Sequence, residues 1–273
     1  MSDLVRGRPN EATPPDREAE RAALDRLSRV GGEQFVRDLV YLYLEQSPER
    51  IEAGREAIRH NDLPSLAQAA HGMHSSSAQL GARALADACE ATEAAAERGD
   101  LSDARVQFEA IEAEFAAFSA RLATRAQGAG VGSRHSSDGT GPVIAVVEDN
   151  ADNRLLVDAI LGDRFVLFEY ATGTEAIDGM CANHPDLVLL DVSLPGMDGL
   201  EVLERIRREP MLERVPIVAL TAHAMSGDRE RYLAAGFDDY IPKPIVDEAA
   251  FVRVIDDLLA RDDTVGRRGT SGL

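Results

Sequence analysis

Lysine is almost absent from this chain of 273 residues. Lysine and arginine together number 29, yet Lys243 is the only lysine. The two residues are interchangeable on a solvated surface, but in a tight site lysine is a compact ammonium and arginine a wide planar fork. Lys243 stands between two prolines and three residues after Tyr240, a setting that marks it as a candidate site residue.

Other absences exclude whole classes of protein. No run of about 18 apolar residues is present, so no membrane span is predicted, and the N-terminal stretch lacks the apolar core of a secretory signal. Cys89 and Cys181 form neither a disulfide framework nor a metal motif, which favours reduced thiols in the cytoplasm. A formal net charge of -19 argues against binding of a nucleic-acid backbone. We therefore expect a cytoplasmic protein that binds neither nucleic acid nor a membrane.

The chain divides at residues 126–141, a Gly/Ser-rich segment that is typical of a flexible linker. Before it, residues 18–125 carry apolar side chains at spacings of three and four, as amphipathic helices do. Predicted breaks between the helices fall at Gly31–Gly32, Ser47–Pro48, Asn61–Asp62 and Gly99–Asp100. This pattern predicts an antiparallel helical bundle with short connections. Residues 1–17 and 263–273 are predicted to be disordered.

After the linker, residues 142–262 alternate short apolar runs with amphipathic segments. The predicted strands are Val143–Glu148, Phe165–Tyr170, Leu187–Asp191, Ile217–Thr221 and Asp239–Ile241. Helices are predicted between them, near residues 151–161, 174–183, 199–208, 227–235 and 247–260. Five units of this kind predict a parallel sheet that is covered by helices on both faces.

Chemically distinctive side chains stand where the predicted strands end. Glu148 and Asp149 close the first strand, Asp191 the third and Thr221 the fourth, and Lys243 follows the fifth. Ligands of open α/β sheets bind outside the carboxyl ends of the strands, so these residues should converge. Three carboxylates in one crevice repel one another and need a cation, and oxygen ligands favour Mg²⁺. The sequence therefore predicts a magnesium site.

Residues 142–262 resemble the receiver domain of two-component response regulators. The resemblance rests on four segments, Glu148–Asn150, Leu190–Gly199, Leu220–Ala222 and Asp239–Pro244. It implies a flavodoxin-like fold with a five-stranded parallel sheet in the order 2-1-3-4-5. Without it, Asp191 could be an ordinary acid at a strand end, or the nucleophile of a phosphatase that wants a second acid where Ser193 stands.

The resemblance implies a role for each residue of the predicted pocket. Asp191 would be the phosphoacceptor and, with Glu148, Asp149 and the backbone carbonyl of Ser193, would hold Mg²⁺. Lys243 and Thr221 would stabilise the phosphoryl group. Tyr240 would move inward when Thr221 shifts, although core packing alone also accounts for an aromatic residue there. A cis Lys243–Pro244 bond is implied as well.

The helical half carries two histidines, His71 and His74, on one helix face, followed by small residues. Residues 18–124 resemble the histidine phosphotransfer (HPt) domain, a four-helix bundle with an exposed, phosphorylatable histidine. Gly31–Gly32, the segment that ends at His71, Cys89 with Glu93, and Gly99–Asp100 carry the match. The resemblance implies that His71 is the phosphoacceptor, with His74 and Ser75 as auxiliary residues. The match departs from the family where it expects lysine and glycine, because His74 and Ser75 stand there.

Together the two halves predict a phosphorelay protein that accepts phosphoryl groups on His71 and Asp191. No glycine-rich nucleotide loop is present, so the predicted donor is a sensor histidine kinase or another receiver rather than ATP. Three alternatives stay open: a receiver-controlled docking switch whose bundle takes no phosphate, a phosphate sink, and His74 as the acceptor. The sequence leaves the direction of transfer and the oligomeric state open.

Overall fold

The computed structural model describes residues 14–123, 141–222 and 228–266. The chain divides into two compact units, residues 1–131 and 132–273. Nearly all of the predicted linker, and most of the two predicted disordered ends, lie outside the described residues, so those three assignments stay predictions.

The first unit is helical throughout its described part. Its helices are α1 (Pro14–His60), α2 (Leu63–Gln79), α3 (Arg83–Glu97) and α4 (Leu101–Leu122). Asp62 and Asp100 cap α2 and α4, because each side chain accepts a hydrogen bond from a backbone N–H in the first turn. Gly32, with φ of 76°, interrupts α1 as the sequence predicts. The predicted all-α bundle is confirmed.

The helix break predicted at Ser47–Pro48 is wrong, because α1 continues through Pro48. Proline removes one backbone hydrogen bond and normally bends or ends a helix. Here Tyr43, Ser47 and Ile51 are all buried, and they follow one another at spacings of four. The same helix face is therefore packed before and after the proline, and we attribute the continuity of the helix to this packing.

Two helix ends lie beyond the predicted domain limits. Helix α1 begins at Pro14, inside the segment predicted to be disordered, and the last helix runs to Gly266 rather than ending near residue 260. Proline is well tolerated in the first turn of a helix, where its missing N–H has no intrahelical partner in any case. At the other end, Gly266 is the first strong helix breaker after residue 250.

The second unit is a parallel sheet flanked by helices. Its strands are β1 (Val143–Val147), β2 (Val166–Tyr170), β3 (Leu187–Asp191), β4 (Ile217–Thr221) and β5 (Asp239–Pro242). Its helices are α5 (Ala151–Leu161), α6 (Gly173–Asn183), α7 (Gly199–Arg208), α8 (Asp228–Ala235) and α9 (Glu248–Gly266). The strand order is β2-β1-β3-β4-β5, and every pair is parallel, which confirms the predicted topology.

The sheet brings the strand ends into one place. All residues of β3 and β4 are buried, as expected for strands covered on both faces. Strand β1 lies between β2 and β3, so the residues after β1 stand beside Asp191 at the end of β3. Among the described residues, none of the helices is both long and apolar enough to cross a membrane.

Candidate functional site

Three acidic residues converge at the carboxyl edge of the sheet. Glu148, Asp149 and Asp191 each offer a carboxylate oxygen, and these oxygens all lie within 4.8 Å of one another. Glu148 and Asp191 are fully buried and Asp149 is half-buried. The described structure thus brings together three residues that the sequence analysis predicts to meet.

Lys243 lies in direct contact with two of these carboxylates. Its Nζ donates to Asp191 Oδ2 at 2.8 Å and to Glu148 Oε2 at 3.1 Å. The lysine side chain is only 4% exposed. Burial disfavours the ammonium charge, but Asp191 and Glu148 outweigh that effect and raise the pKa of Lys243. The single lysine of the chain therefore stays charged inside the site. The Lys243–Pro244 bond is cis.

One ammonium does not offset the charge of this cluster. Burial, and then the neighbouring Asp191, raise the pKa of Glu148 to about 7, although Lys243 and a hydrogen bond from Asn153 act in the opposite direction. Asn153 Nδ2 lies 3.0 Å and the Asn150 backbone nitrogen 3.2 Å from Glu148 Oε1. The Lys243 contact holds Glu148 in place without restoring its ordinary acidity, because burial and the charge of Asp191 together outweigh the effect of the ammonium.

The residues of the cluster fit a hard divalent cation. All three ligand candidates are carboxylates, and with Lys243 they leave a formal charge of about −2 when ionised. Oxygen ligands of this kind are the usual ligands of Mg²⁺, and sulfur or nitrogen ligands are absent from this described group. The donor set is thus consistent with the predicted magnesium site.

Local backbone contacts fix the position of Asp191. The Ser193 backbone N–H donates to Asp191 Oδ1 at 3.0 Å. The chain then turns so closely that a Cβ at position 199 would overlap the Asp191 carbonyl oxygen, which explains the glycine there. The Gly199 N–H donates to the Val192 carbonyl at 3.0 Å. Gly199 therefore lets α7 begin directly beside the candidate phosphoacceptor.

Thr221 and Tyr240 are linked through a residue that the sequence analysis missed. Thr221 Oγ1 lies 2.8 Å from the hydroxyl of Tyr232 on α8, and both residues are buried. The ring of Tyr232 stacks on that of Tyr240, with centroids 6.4 Å apart. No motif marks Tyr232, because it reads as one more apolar-face residue of an amphipathic helix.

His71 in the helical unit pairs with Glu93 on α3. The distance between His71 Nδ1 and Glu93 Oε2 is 3.0 Å. The resemblance implies an exposed histidine, but this side chain is only 12% exposed. The contact with the buried Glu93 draws the ring toward α3 and accounts for the difference. Glu93 fits the family pattern in the sequence, but nothing there assigns it this contact.

An arginine from another helix bonds the backbone next to His71. Arg50 Nη1 donates to the backbone carbonyl of Gly72 at 2.6 Å. His74 is half-buried and Ser75 is buried, so the Ser75 hydroxyl faces the interior of the bundle. No sequence feature places Arg50 beside Gly72, because Arg50 belongs to α1 and only the packing of the bundle brings it here.

Both units of the chain match known protein families. Residues 38–121 match the Hpt domain family, and residues 144–256 match the response regulator receiver domain family. The polar-differentiation response regulator DivK of Brucella ovis is 40% identical over 103 residues, which cover 37% of this chain and 84% of DivK.

A longer relative and a solved structure are also similar. The signal transduction histidine-protein kinase BarA of Escherichia coli K12 is 38% identical over 106 residues, and this chain spans only 12% of its length. The receiver domain of the sensor histidine kinase PA1611 from Pseudomonas aeruginosa has 35% identity and a TM-score of 0.41, covering 44% of this chain and 99% of that domain. The chain belongs to the response regulator receiver family and carries an Hpt domain ahead of its receiver domain.

Proposed function

We propose that this chain is a two-component phosphorelay protein that accepts a phosphoryl group on Asp191 and exchanges phosphoryl groups through His71. The observation that carries the proposal is the contact of Lys243 with the buried Asp191 inside a cluster of three carboxylates. A buried group of this kind, with strongly perturbed pKa values, is typical of a reactive site. Family membership in both units gives independent support.

At the receiver site, Asp191 acts as the nucleophile. An oxygen of its carboxylate forms a bond to phosphorus while the bond from phosphorus to the donor breaks. Lys243 then pairs with the phosphoryl oxygens, and Thr221 donates its hydroxyl hydrogen to one of them. Glu148, Asp149, Asp191 and the Ser193 carbonyl would hold Mg²⁺, which when bound supplies positive charge for the phosphoryl oxygens.

At the Hpt site, Glu93 orients the imidazole of His71. The carboxylate holds Nδ1, so Nε2 is the nitrogen that would take the phosphoryl group. When that group leaves for an aspartate, the phosphorus–nitrogen bond breaks and the imidazole returns to its neutral form. Because the His71 side chain is 12% exposed, docking of a partner has to uncover the ring. The partner is a sensor histidine kinase or another receiver, and we place the protein in the cytoplasm.

Transfer to His71 can be tested with purified full-length protein and a partner receiver that carries a labelled phosphoryl group. Phosphohistidine is stable to alkali and labile to acid, whereas an aspartyl phosphate is lost in alkali. We expect Asp191→Asn protein to gain alkali-stable label and His71→Gln protein to gain none. Alkali-stable label that persists in His71→Gln but is lost in His74→Gln would instead make His74 the acceptor.

A docking function is the second candidate, and the burial of His71 favours it. A histidine that is 12% exposed, with His74 where the family expects lysine, suits a bundle that binds partners without taking phosphate. In that case acetyl phosphate labels Asp191 normally, and no donor places alkali-stable label on the chain. The same experiment therefore separates the two functions.

A Glu93→Gln variant should receive phosphoryl groups on His71 roughly tenfold more slowly, the size expected for loss of one charge-assisted hydrogen bond. An amide still reaches Nδ1 but holds the imidazole less firmly and makes Nε2 less basic. The rate of transfer from a labelled receiver measures the effect. Glu97→Gln, one turn further along α3 and exposed, is the matched control and should leave the rate unchanged. Equal rates for both variants would rule out an orienting role for Glu93.

A further inference from the structure

Tyr232 connects two residues to which the proposed function gives roles. Its hydroxyl lies 2.8 Å from Thr221 Oγ1, at the end of β4. Its ring stacks on the ring of Tyr240 with an interplanar angle of 26°. Phe237 packs against the same ring edge-on, with centroids 5.9 Å apart. One side chain on α8 therefore contacts both the hydroxyl that would meet the phosphoryl group and the aromatic ring that would respond to it.

The hydrogen bond between Tyr232 and Thr221 is shielded from solvent. Tyr232 is 4% exposed and Thr221 1%, and Tyr232 belongs to the apolar core that also contains Ala219 and Leu203. Buried hydroxyl groups that lose a partner are destabilising, since water cannot replace it. Breaking this bond would therefore cost stability.

The direction of the hydrogen bond between Tyr232 and Thr221 decides whether the Thr221 hydroxyl can donate to a phosphoryl oxygen. Either oxygen could be the donor on geometry alone. A phenol is the stronger donor and an aliphatic hydroxyl the better acceptor, which favours donation from Tyr232 to Thr221. A threonine oxygen that accepts this bond does not commit its own hydrogen to Tyr232. If Thr221 were the donor instead, its one hydrogen would be committed to Tyr232.

We propose that Tyr232 is a positioning residue for the Asp191 site: its phenol donates to Thr221 Oγ1 and holds the Thr221 hydroxyl in the orientation from which it donates to a phosphoryl oxygen. This inference rests on the proposed function, in which Asp191 carries that phosphoryl group. Phenol, threonine hydroxyl and phosphoryl oxygen then form a chain of hydrogen bonds, each of which strengthens the next. Through its stacked ring, Tyr232 also makes the position of Tyr240 depend on that of Thr221.

The lifetime of the phosphoryl group on Asp191 tests this inference. Full-length protein in a His71→Gln background is labelled with acetyl phosphate and Mg²⁺, the donor is removed, and loss of alkali-labile phosphate is followed. Tyr232→Phe should shorten this lifetime about fivefold, as expected for one weakened hydrogen bond. Thr221→Val should shorten the lifetime at least as much, and Tyr232→Phe should add nothing to it in the double variant.

Other outcomes would overturn the inference. An unchanged or longer lifetime of the phosphoryl group in Tyr232→Phe would contradict the positioning role. Additive effects of Tyr232→Phe and Thr221→Val in the double variant would show that Tyr232 contributes only packing. Tyr170→Phe is the matched control, because its phenol is bonded to Asn183 at 3.0 Å in the same unit, away from Thr221. If the natural chain takes no label on Asp191, the proposed function fails as well. A labelled natural chain with an unaffected Tyr232→Phe defeats only this inference.

A second measurement follows the tyrosine rings themselves. The chain has five tyrosines, and fluorotyrosine can replace all of them. Addition of Mg²⁺ with beryllofluoride, a mimic of the phosphoryl group, should shift the fluorine resonances of Tyr232 and Tyr240 together. A spectrum in which only one resonance moves would show that the two rings respond separately, against the inference.

Discussion

We expect a Lys243→Arg variant to accept phosphoryl groups on Asp191, the proposed phosphoacceptor, at least about a hundredfold more slowly than the natural chain, the usual cost of losing a preorganised cationic donor. Lys243 Nζ bonds Asp191 Oδ2 and Glu148 Oε2 at the same time while its side chain is 4% exposed. A guanidinium keeps the charge but is broad and planar, and the space between two buried carboxylates fits a compact ammonium. Labelling of Asp191 by acetyl phosphate in the presence of Mg²⁺ measures the rate.

Lys243→Met separates the loss of charge from the change of shape. Removal of one partner from a buried ion pair typically costs about 3–5 kcal/mol, so this variant should lower the free energy of unfolding of the receiver unit by that amount in metal-free buffer. Lys243→Arg should destabilise less, because it keeps the charge, yet label as poorly. Arg164→Lys, at an exposed ion pair with Asp256, is the reverse substitution and should change neither quantity. Labelling of Lys243→Arg within threefold of the natural rate would contradict the shape argument.

The rarity of lysine made Lys243 visible in the sequence, and burial in the structure explains why arginine does not stand there. Strands β3 and β4 could also be predicted, because their uninterrupted apolar runs are typical of strands that are buried on both faces. Each of these runs can be recognised from a few consecutive residues. The convergence of Glu148, Asp149 and Asp191 could be predicted as well, because a parallel sheet brings strand ends together whatever its details.

The features that the sequence did not reveal depend on packing between distant segments. Pro48 reads as a helix break, and only the shared buried face on both sides of it keeps α1 continuous. The burial of His71 follows from its contact with Glu93, 22 residues further along the chain. Tyr232 meets Thr221 because α8 packs back on the sheet. None of these contacts has a spacing that a single sequence would make recognisable.

Binding of Mg²⁺ to the receiver unit should depend steeply on pH below about 7. Burial and Asp191 raise the pKa of Glu148 to about 7 from an ordinary value of 4.5. Below that pH the metal has to displace a proton from Glu148, so affinity should fall by up to about tenfold per pH unit, and above it affinity should be constant. Calorimetric titration with MgCl₂ between pH 5.5 and 8.5 measures the effect. Glu148→Gln should bind more weakly but without this pH step, and equal affinities of the natural chain at pH 6 and pH 8 would contradict the prediction.

The same carboxyl group gives the metal-free stability the opposite pH dependence. Between pH 4.5 and about 7, the folded chain holds a proton on Glu148 that the unfolded chain has released. Rising pH therefore favours the unfolded state through this window, and the metal-free receiver unit should lose on the order of 3 kcal/mol of stability. Mg²⁺ should bind the ionised cluster, so the stabilisation that it adds is expected to grow over the same range. Urea unfolding with EDTA or with saturating Mg²⁺ should show the two curves diverging as the pH rises. Parallel curves would mean that Glu148 is already ionised at pH 5 in the metal-free fold.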